Sequence, residues 1–325
     1  MKSIFRGYDC LEIMHNILYC LDENYNKQAF TSIVSLLDNV SEKINIFIIH
    51  KNPDTFKNLP SEIQYHNKLN LLNIIKFNSK GKFFPNLENT HVSEATYYRI
   101  YISEFLPEDI NSILYLDCDI ICVDDPIEQI KKVENELINS GSVIAAKTEF
   151  VKKNEDDIFF NEIGHNLNLY FNAGVMFINF DRWKEFNIID KSQTIIQDKK
   201  NKLTYWDQDI LNIIFQNKYI AIEEGLNLRI GSTLKEDKKI ELKSSDVFIH
   251  YAGSNKPWTL EGVSHINSVH YQHNFKKIYP KSYHLVNKWR LNSLRILIKN
   301  TLNFSLLINT KYLQLLKSYI LTLKK

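Results

Sequence analysis

Ile113-Leu114-Tyr115-Leu116-Asp117-Cys118-Asp119 sets four apolar residues directly before two carboxylates one residue apart. The apolar run predicts a buried strand, and its acidic end predicts a polar rim where that strand leaves the core. Hard divalent cations take oxygen ligands, and Mg²⁺ or Mn²⁺ is commonly held by few protein carboxylates together with substrate phosphates. Asp117 and Asp119 suit that work. A solvated strand end is the plain alternative for so short a motif; the hydrophobic strand before it weighs the other way. Asp124 and Asp125 read as a turn before Pro126.

On either side, short apolar runs alternate with stretches of helical spacing. Strands are predicted at Asn16–Leu21, Ile44–Ile49, Leu71–Phe77, Ser142–Ala146, Val175–Asn179 and Val247–Ile249. Helices are predicted at Asn26–Val40, at Ser93–Phe105 with Ser93 as N-cap, and at Gln208–Phe215. The alternation implies an α/β fold whose strands pair in parallel and are buried on both faces. In such sheets the chemistry sits beyond the carboxyl ends of the strands.

Three further clusters fall at such places. In Ile249-His250-Tyr251-Ala252-Gly253-Ser254-Asn255-Lys256-Pro257-Trp258, His250 ends a strand and can offer an imidazole to a metal. Gly253 permits close backbone approach to a phosphate, and Lys256 brings it a point charge. The plain alternative for His250 is a hydrogen-bonded core histidine. In Tyr205-Trp206-Asp207-Gln208-Asp209-Ile210-Leu211-Asn212, Asp207 reads as a helix cap, a role compatible with accepting a sugar hydroxyl. In Tyr170-Phe171-Asn172-Ala173-Gly174-Val175 the small residues let a backbone pass close to a ligand, and taken alone the stretch reads equally well as a strand-start turn.

Composition bounds the class. The chain has 325 residues, 44% hydrophobic and 24% charged, so it can bury a sizeable core and is not a disordered chain. Four Cys without tight pairing argue against a disulfide framework and for a reducing compartment. Cys118 and Cys122 read as buried small hydrophobes, and His265, His270 and His273 as a surface or interface segment. P-loop, dinucleotide and serine-hydrolase signatures are missing. The charge is divided: residues 1–261 carry 29 Lys/Arg against 38 Asp/Glu, whereas residues 262–325 carry 11 Lys/Arg and no acid. Met1–Asp9 does not read as a signal peptide, and no apolar run is long enough to span a bilayer.

Taken together, the clusters resemble those of the retaining glycosyltransferase family 8, especially the bacterial lipopolysaccharide galactosyl- and glucosyltransferases. The resemblance runs from about Asn16 to Trp258. Its carriers, in order, are Asp22-Glu23-Asn24-Tyr25, Thr96-Tyr97-Tyr98-Arg99, Leu114–Asp119, Phe171–Gly174, Asp207–Asn212 and His250–Trp258. It implies a GT-A (Rossmann-like) nucleotide-sugar-binding fold and a transfer from a UDP-sugar that depends on Mn²⁺, with Mg²⁺ as a substitute. Asp117, Asp119 and His250 match the metal ligands; Asp22 and Asn24 match the uracil and ribose positions, with Cys20 beside them. Gly253 and Lys256 match the diphosphate binders, and Arg99, Asn172, Asp207 and Gln208 match residues around the donor sugar. Cys118 and Ala173 join the donor-binding set, and Asp207 and Gln208 are the catalytic candidates. The chain departs from the family where an acceptor-side Asp is expected: it has Lys147-Thr148-Glu149, so Thr148 or Glu149 stands there.

A retaining transfer by two displacements needs a carboxylate nucleophile beneath the anomeric carbon. Only Asp207 and Gln208 are candidates, and an amide is a poor nucleophile, so front-face substitution is expected. The resulting expectation is a hexosyltransferase moving galactose or glucose to a lipopolysaccharide or other lipid-linked glycan. A glycogenin-like self-glucosylating initiator and a nucleotide-sugar-binding pseudoenzyme are the alternatives. Residues 1–260 form the expected GT-A domain, and residues 261–325 a C-terminal segment of basic amphipathic helices. The aliphatic content of that segment argues for a membrane surface more than for nucleic acid; the plain alternative is a helical hairpin packed on the body or on another subunit. The expected location is cytoplasmic, at the inner face of the cytoplasmic membrane.

Overall fold

The computed structural model describes residues 14–56, 58–85, 93–163, 167–199, 203–230, 239–253, 256–286, 291–302 and 312–323. Its first half runs β1 (His15–Leu21), α1 (Asn26–Asn39), β2 (Ile44–His50), α2 (Ser61–Gln64), β3 (Leu69–Lys76), β4 (Ser112–Leu116), β5 (Ile120–Cys122) and α3 (Ile127–Ser140). Then come β6 (Ile144–Val151), α4 (Ile158–Ile163), β7 (Leu169–Asn179), α5 (Phe180–Glu185), α6 (Ile188–Lys199) and α7 (Trp206–Phe215). The chain closes with β8 (Ile220–Ala221), β9 (Leu228–Arg229), β10 (Phe248–His250), α8 (Val269–Ile278), α9 (Leu291–Leu302) and α10 (Tyr312–Leu323).

The main sheet has the order β3-β2-β1-β4-β7-β6-β8. Strands β1 to β4 pair in parallel; β1, β2 and β4 are apolar runs buried on both faces, and the edge strand β3 is only partly buried. The all-parallel expectation fails at β7, which lies antiparallel to both β4 and β6. β7 also begins earlier than expected: Asn172-Ala173-Gly174 is strand, not a turn before one. One apolar cluster includes Ile17, Tyr19 and Ile46 with α1 and α3; on the other face Leu18, Phe47 and Tyr115 pack with Tyr97, Tyr101 and α7. The segment Glu94–Glu104 after N-cap Ser93 is a 3-10 helix, tighter than the α-helix its spacing suggested.

A second, three-stranded sheet has the order β5-β10-β9. Asp117-Cys118-Asp119 is the turn by which the chain leaves the first sheet and enters the second. The register His250↔Ile120 then carries His250 to the same turn. Cys20, Cys118 and Cys122 are free and buried, as expected of small hydrophobes.

Residues past 260 continue the core. Tyr271 and Phe275 of α8 pack with Trp258, Tyr251 and Ile249. His284 stacks on Phe275 at 4.7 Å between ring centroids, and its Nδ1 meets the Tyr271 hydroxyl at 2.6 Å. His265 is buried and caps a short 3-10 turn through Nδ1, which corrects its reading as a surface residue. On α10, Leu315 and Tyr319 pack against Leu260, Val263 and Tyr283. The opposite face of α10 leaves Leu313, Leu316, Ile320 and Leu321 exposed, and Leu294, Ile298 and Leu302 of α9 are exposed too. Among the described residues no helix is long and apolar enough to cross a membrane. Met1–Asp9, Cys10, Ser254 and Asn255, and within the basic segment Lys288–Arg290, Phe304, Leu306, Leu307, Lys311, Lys324 and Lys325, lie outside the described residues.

Candidate active site

The β4–β5 turn, the end of β10 and the middle of β7 meet at one point. The Asp117 amide donates to the Gly174 carbonyl at 2.8 Å, and the Tyr251 amide to the Asp119 carbonyl at 3.2 Å. These two bonds tie both neighbours to the acidic turn. The ligand atoms of Asp117, Asp119 and His250 consequently lie within 4.8 Å of one another. Gly174 makes the approach possible: a Cβ there would sit 2.4 Å from His250 Cε1.

Asp119 Oδ1 is buried with no hydrogen-bond partner, 3.4 Å from His250 Nε2. A desolvated, unpaired carboxylate oxygen is costly unless something positive is to meet it. The donor set is two carboxylates and an imidazole, which fits Mn²⁺ or Mg²⁺ and gives the cluster a purpose. Burial would raise the Asp119 carboxyl, but Lys256 and His250 outweigh it and hold the group below its usual range. Burial lowers His250, against the pull of Asp119 and Asp117, a shift toward the neutral form in which an imidazole ligates.

Two adjoining clefts flank this point. One, of about 150 Å³, is lined by Cys20, Asp22, Tyr25, Arg99 and Cys118. The other, of about 290 Å³, is lined by Asn172, Asp207, Gln208, Gly253 and Glu149. Asp117, Asp119, Arg99 and Lys256 belong to both. The fold therefore collects nearly every site residue expected from the sequence. Asn24 is exposed and lines neither cleft; its amide donates to Asp22 Oδ1 at 2.9 Å. Gly253 takes φ +90°, a backbone open to glycine. Lys256 Nζ donates to Asp119 Oδ2 and to the Tyr251 carbonyl.

Arg99 is the buried hub. Nε pairs with Asp207 at 2.7 Å, Nη2 with Asp117 at 3.3 Å, and Nη1 donates to the Ala173 carbonyl at 2.6 Å. Burial pushes the Asp207 carboxyl up to about 6 in spite of Arg99 and the Thr96 hydroxyl. Asp207 does not cap α7, whose N-cap Tyr205 makes no side-chain cap bond; Asp209 reaches back to accept the Thr204 and Tyr205 amides at 2.6 and 2.8 Å. Gln208 Oε1 accepts the Ala173 amide at 2.9 Å.

On the acceptor side, Thr148 is turned to the Tyr219 hydroxyl at 2.6 Å. Glu149 instead faces the clefts, held by Asn172 Nδ2 and Arg229 Nη1 at 2.8 Å each. It also borders a third cavity of about 490 Å³, shared with Lys147 and Glu224. Sequence reading missed Tyr115, whose hydroxyl donates to Asp117 at 2.6 Å, and Asn227, which meets His250 at 2.9 Å. Both are polar groups inside apolar stretches, which burial obliges to find partners.

A mixed sheet whose carboxyl edge ends in two acids, met there by a histidine from a second small sheet beside a two-part cleft, is the architecture of a GT-A glycosyltransferase. The fold is similar to that of galactosyltransferase LgtC solved with donor and acceptor sugar analogs, at TM-score 0.67 and 19% identity, covering 81% of this chain and 96% of that one. The chain belongs to glycosyl transferase family 8, whose family model matches residues 16–262. Relatives include general stress protein A of Bacillus subtilis, 27% identical over 76% of this chain and 88% of that protein. A putative glycosyltransferase of Haemophilus influenzae is 30% identical over 78% of this chain and 75% of its own. The lipopolysaccharide 1,3-galactosyltransferase of Salmonella typhimurium is 28% identical over 75% of this chain and 72% of its own.

Proposed function

We propose that this enzyme is a metal-dependent retaining hexosyltransferase. It moves galactose or glucose from a UDP-sugar to a lipopolysaccharide, lipooligosaccharide or other lipid-linked glycan at the inner face of the cytoplasmic membrane. The observation that carries the reading is the unpartnered Asp119 oxygen facing His250 and Asp117, between two clefts suited to a nucleotide and a sugar. The lipopolysaccharide glucosyl- and galactosyltransferases among its relatives support the acceptor class.

Asp117, Asp119 and His250 would hold Mn²⁺ or Mg²⁺. Such an ion, when bound, neutralises the charge that grows on a departing diphosphate. Lys256, at the junction of the clefts, adds a second cation for the same oxygens. Arg99 fixes the spacing between Asp207 and the Ala173 carbonyl, so the groups around the donor sugar form one rigid unit. The state of the candidate nucleophiles favours front-face substitution. The Asp207 carboxylate is committed to Arg99 and Thr96, and the Gln208 oxygen to a backbone amide. The acceptor proton then passes to the leaving phosphate oxygen. Glu149, at the wall of the sugar cleft, accepts an acceptor hydroxyl.

Asp117→Asn and Asp119→Asn should each abolish most Mn²⁺-dependent UDP-sugar hydrolysis and weaken Mn²⁺ and UDP binding together. Unchanged turnover in both would refute the metal site. Lys256→Ala should slow turnover ten- to a hundredfold, the loss of a charge-assisted bond of about 1.5–3 kcal/mol. A covalent glycosyl adduct on Asp207 or Gln208 in single-turnover mass spectrometry would replace front-face substitution with double displacement.

A further inference from the structure

The orientation of His250 can be deduced from a chain of hydrogen bonds that begins at a backbone amide. The Gly174 N–H donates to Asn172 Oδ1 at 2.9 Å. A backbone N–H can only donate, so the atom it meets is the oxygen of Asn172. The other end of the same side chain gives the same answer, because Asn172 Nδ2 lies 2.8 Å from the Glu149 carboxylate, which can only accept. With Asn172 fixed twice over, the Asn227 atom 3.1 Å from Asn172 Oδ1 must be its Nδ2. The remaining Asn227 atom, 2.9 Å from His250 Nδ1, is therefore its oxygen. An oxygen there accepts, so His250 Nδ1 carries the proton. His250 Nε2 is left with a bare lone pair, 3.4 Å from the unpartnered oxygen of Asp119.

We infer that Asn227 is a positioning residue that locks His250 in the Nδ1–H tautomer and presents Nε2 to the metal ligand set. The inference rests on the metal site proposed above. Among the described residues Asn227 is the hydrogen-bond partner of His250 Nδ1, the ring lies against Gly174, which has no side chain, and Asn227 is itself 1% exposed. The 3-10 turn Glu224–Asn227 is pinned in turn, since Gly225 packs where a Cβ would be 2.0 Å from the Ser245 carbonyl, and its own carbonyl accepts the Val247 amide. A histidine ligand whose far nitrogen is held by an oxygen keeps ring and tautomer ready for the metal, and losing such a partner usually costs 10- to 100-fold in metal affinity.

Two readouts test the proposal. Long-range ¹H–¹⁵N spectra of the metal-free, full-length protein should show His250 as the Nδ1–H tautomer; an Nε2–H or mixed ring overturns the inference by itself, with no variant needed. Asn227→Leu should release the tautomer and weaken Mn²⁺ binding, followed by the EPR signal of free Mn²⁺, by roughly 10- to 100-fold. Asn227→Asp keeps an oxygen facing Nδ1 and should restore the Nδ1–H tautomer. A folded Asn227→Leu protein that binds Mn²⁺ like the parent, or an Asp variant with the tautomer of the Leu variant, overturns the role. A parent protein with the Nδ1–H ring and no Mn²⁺ binding would refute the metal site while leaving the ring's orientation by Asn227 in place.

Discussion

Gly174 is the residue on which the most atoms depend. It leaves room for His250, lends its carbonyl to Asp117 and its amide to Asn172. Gly174→Ala should drive the added methyl into the imidazole, with a destabilisation of about 1–3 kcal/mol for overpacking and a loss of Mn²⁺ binding out of proportion to it. Metal titration alongside urea unfolding separates the two; wild-type Mn²⁺ affinity in the variant would show that the ring can move aside. The three residues of the proposed metal site were legible in the sequence because acids and a histidine at the ends of apolar runs have few structural uses. Gly174 was visible only as one small residue among several, and Tyr115 and Asn227 not at all. Asn227 works through Asn172, 55 residues away, and a single sequence does not display such pairs; Tyr115, two residues from Asp117, read as one more apolar residue of its strand.

At the scale of elements, type was more legible than direction. Alternating apolar runs located the strands, but β7 pairs antiparallel with β4 and β6, and an apolar run buried on both faces carries no mark of its direction. The start of α7 shows the same limit. Asp207 looks like a cap from its position, yet Trp206 takes φ 51°, an uncommon backbone for a bulky residue, and Asp209 closes the turn. The junction of α8 with the strand-like stretch after it carries a pH dependence. Burial, aided by the charge of Lys27, lowers His284 to about 3. The neutral ring therefore contributes stability that is whole above the unfolded value near 6.5 and is lost as pH falls from there toward 3. Each pH unit in that window should cost up to about 1.4 kcal/mol. Urea midpoints measured from pH 7.5 to 5 should fall more steeply for the parent than for His284→Gln; parallel slopes would place the proton elsewhere.

For the whole molecule, the basic end of the chain is both anchored and open. Leu315 is fully buried, so Leu315→Ala should destabilise by about 2–5 kcal/mol. Leu316, Lys317 and Ile320 look outward, and Arg295 and Lys299 of α9 are also exposed. The proposal of a membrane-facing tail predicts that Leu316→Gln with Ile320→Gln leaves stability intact and abolishes binding to anionic liposomes in a sedimentation assay. Equal sedimentation of parent and variant would remove the tail from membrane binding. The division of the proposed metal ligands between the two sheets has a consequence for folding. Asp117 and Asp119 leave the ribosome about 130 residues ahead of His250, and β7, the partner of β4, follows β4 by more than 50. Strands β1 to β3 with α1 are joined by local contacts and can form while synthesis continues; the pairings of β4 with β7 and of β5 with β10 must wait for distant segments. Metal capture should therefore be the last event of folding, and its rate a clock for closure of the second sheet.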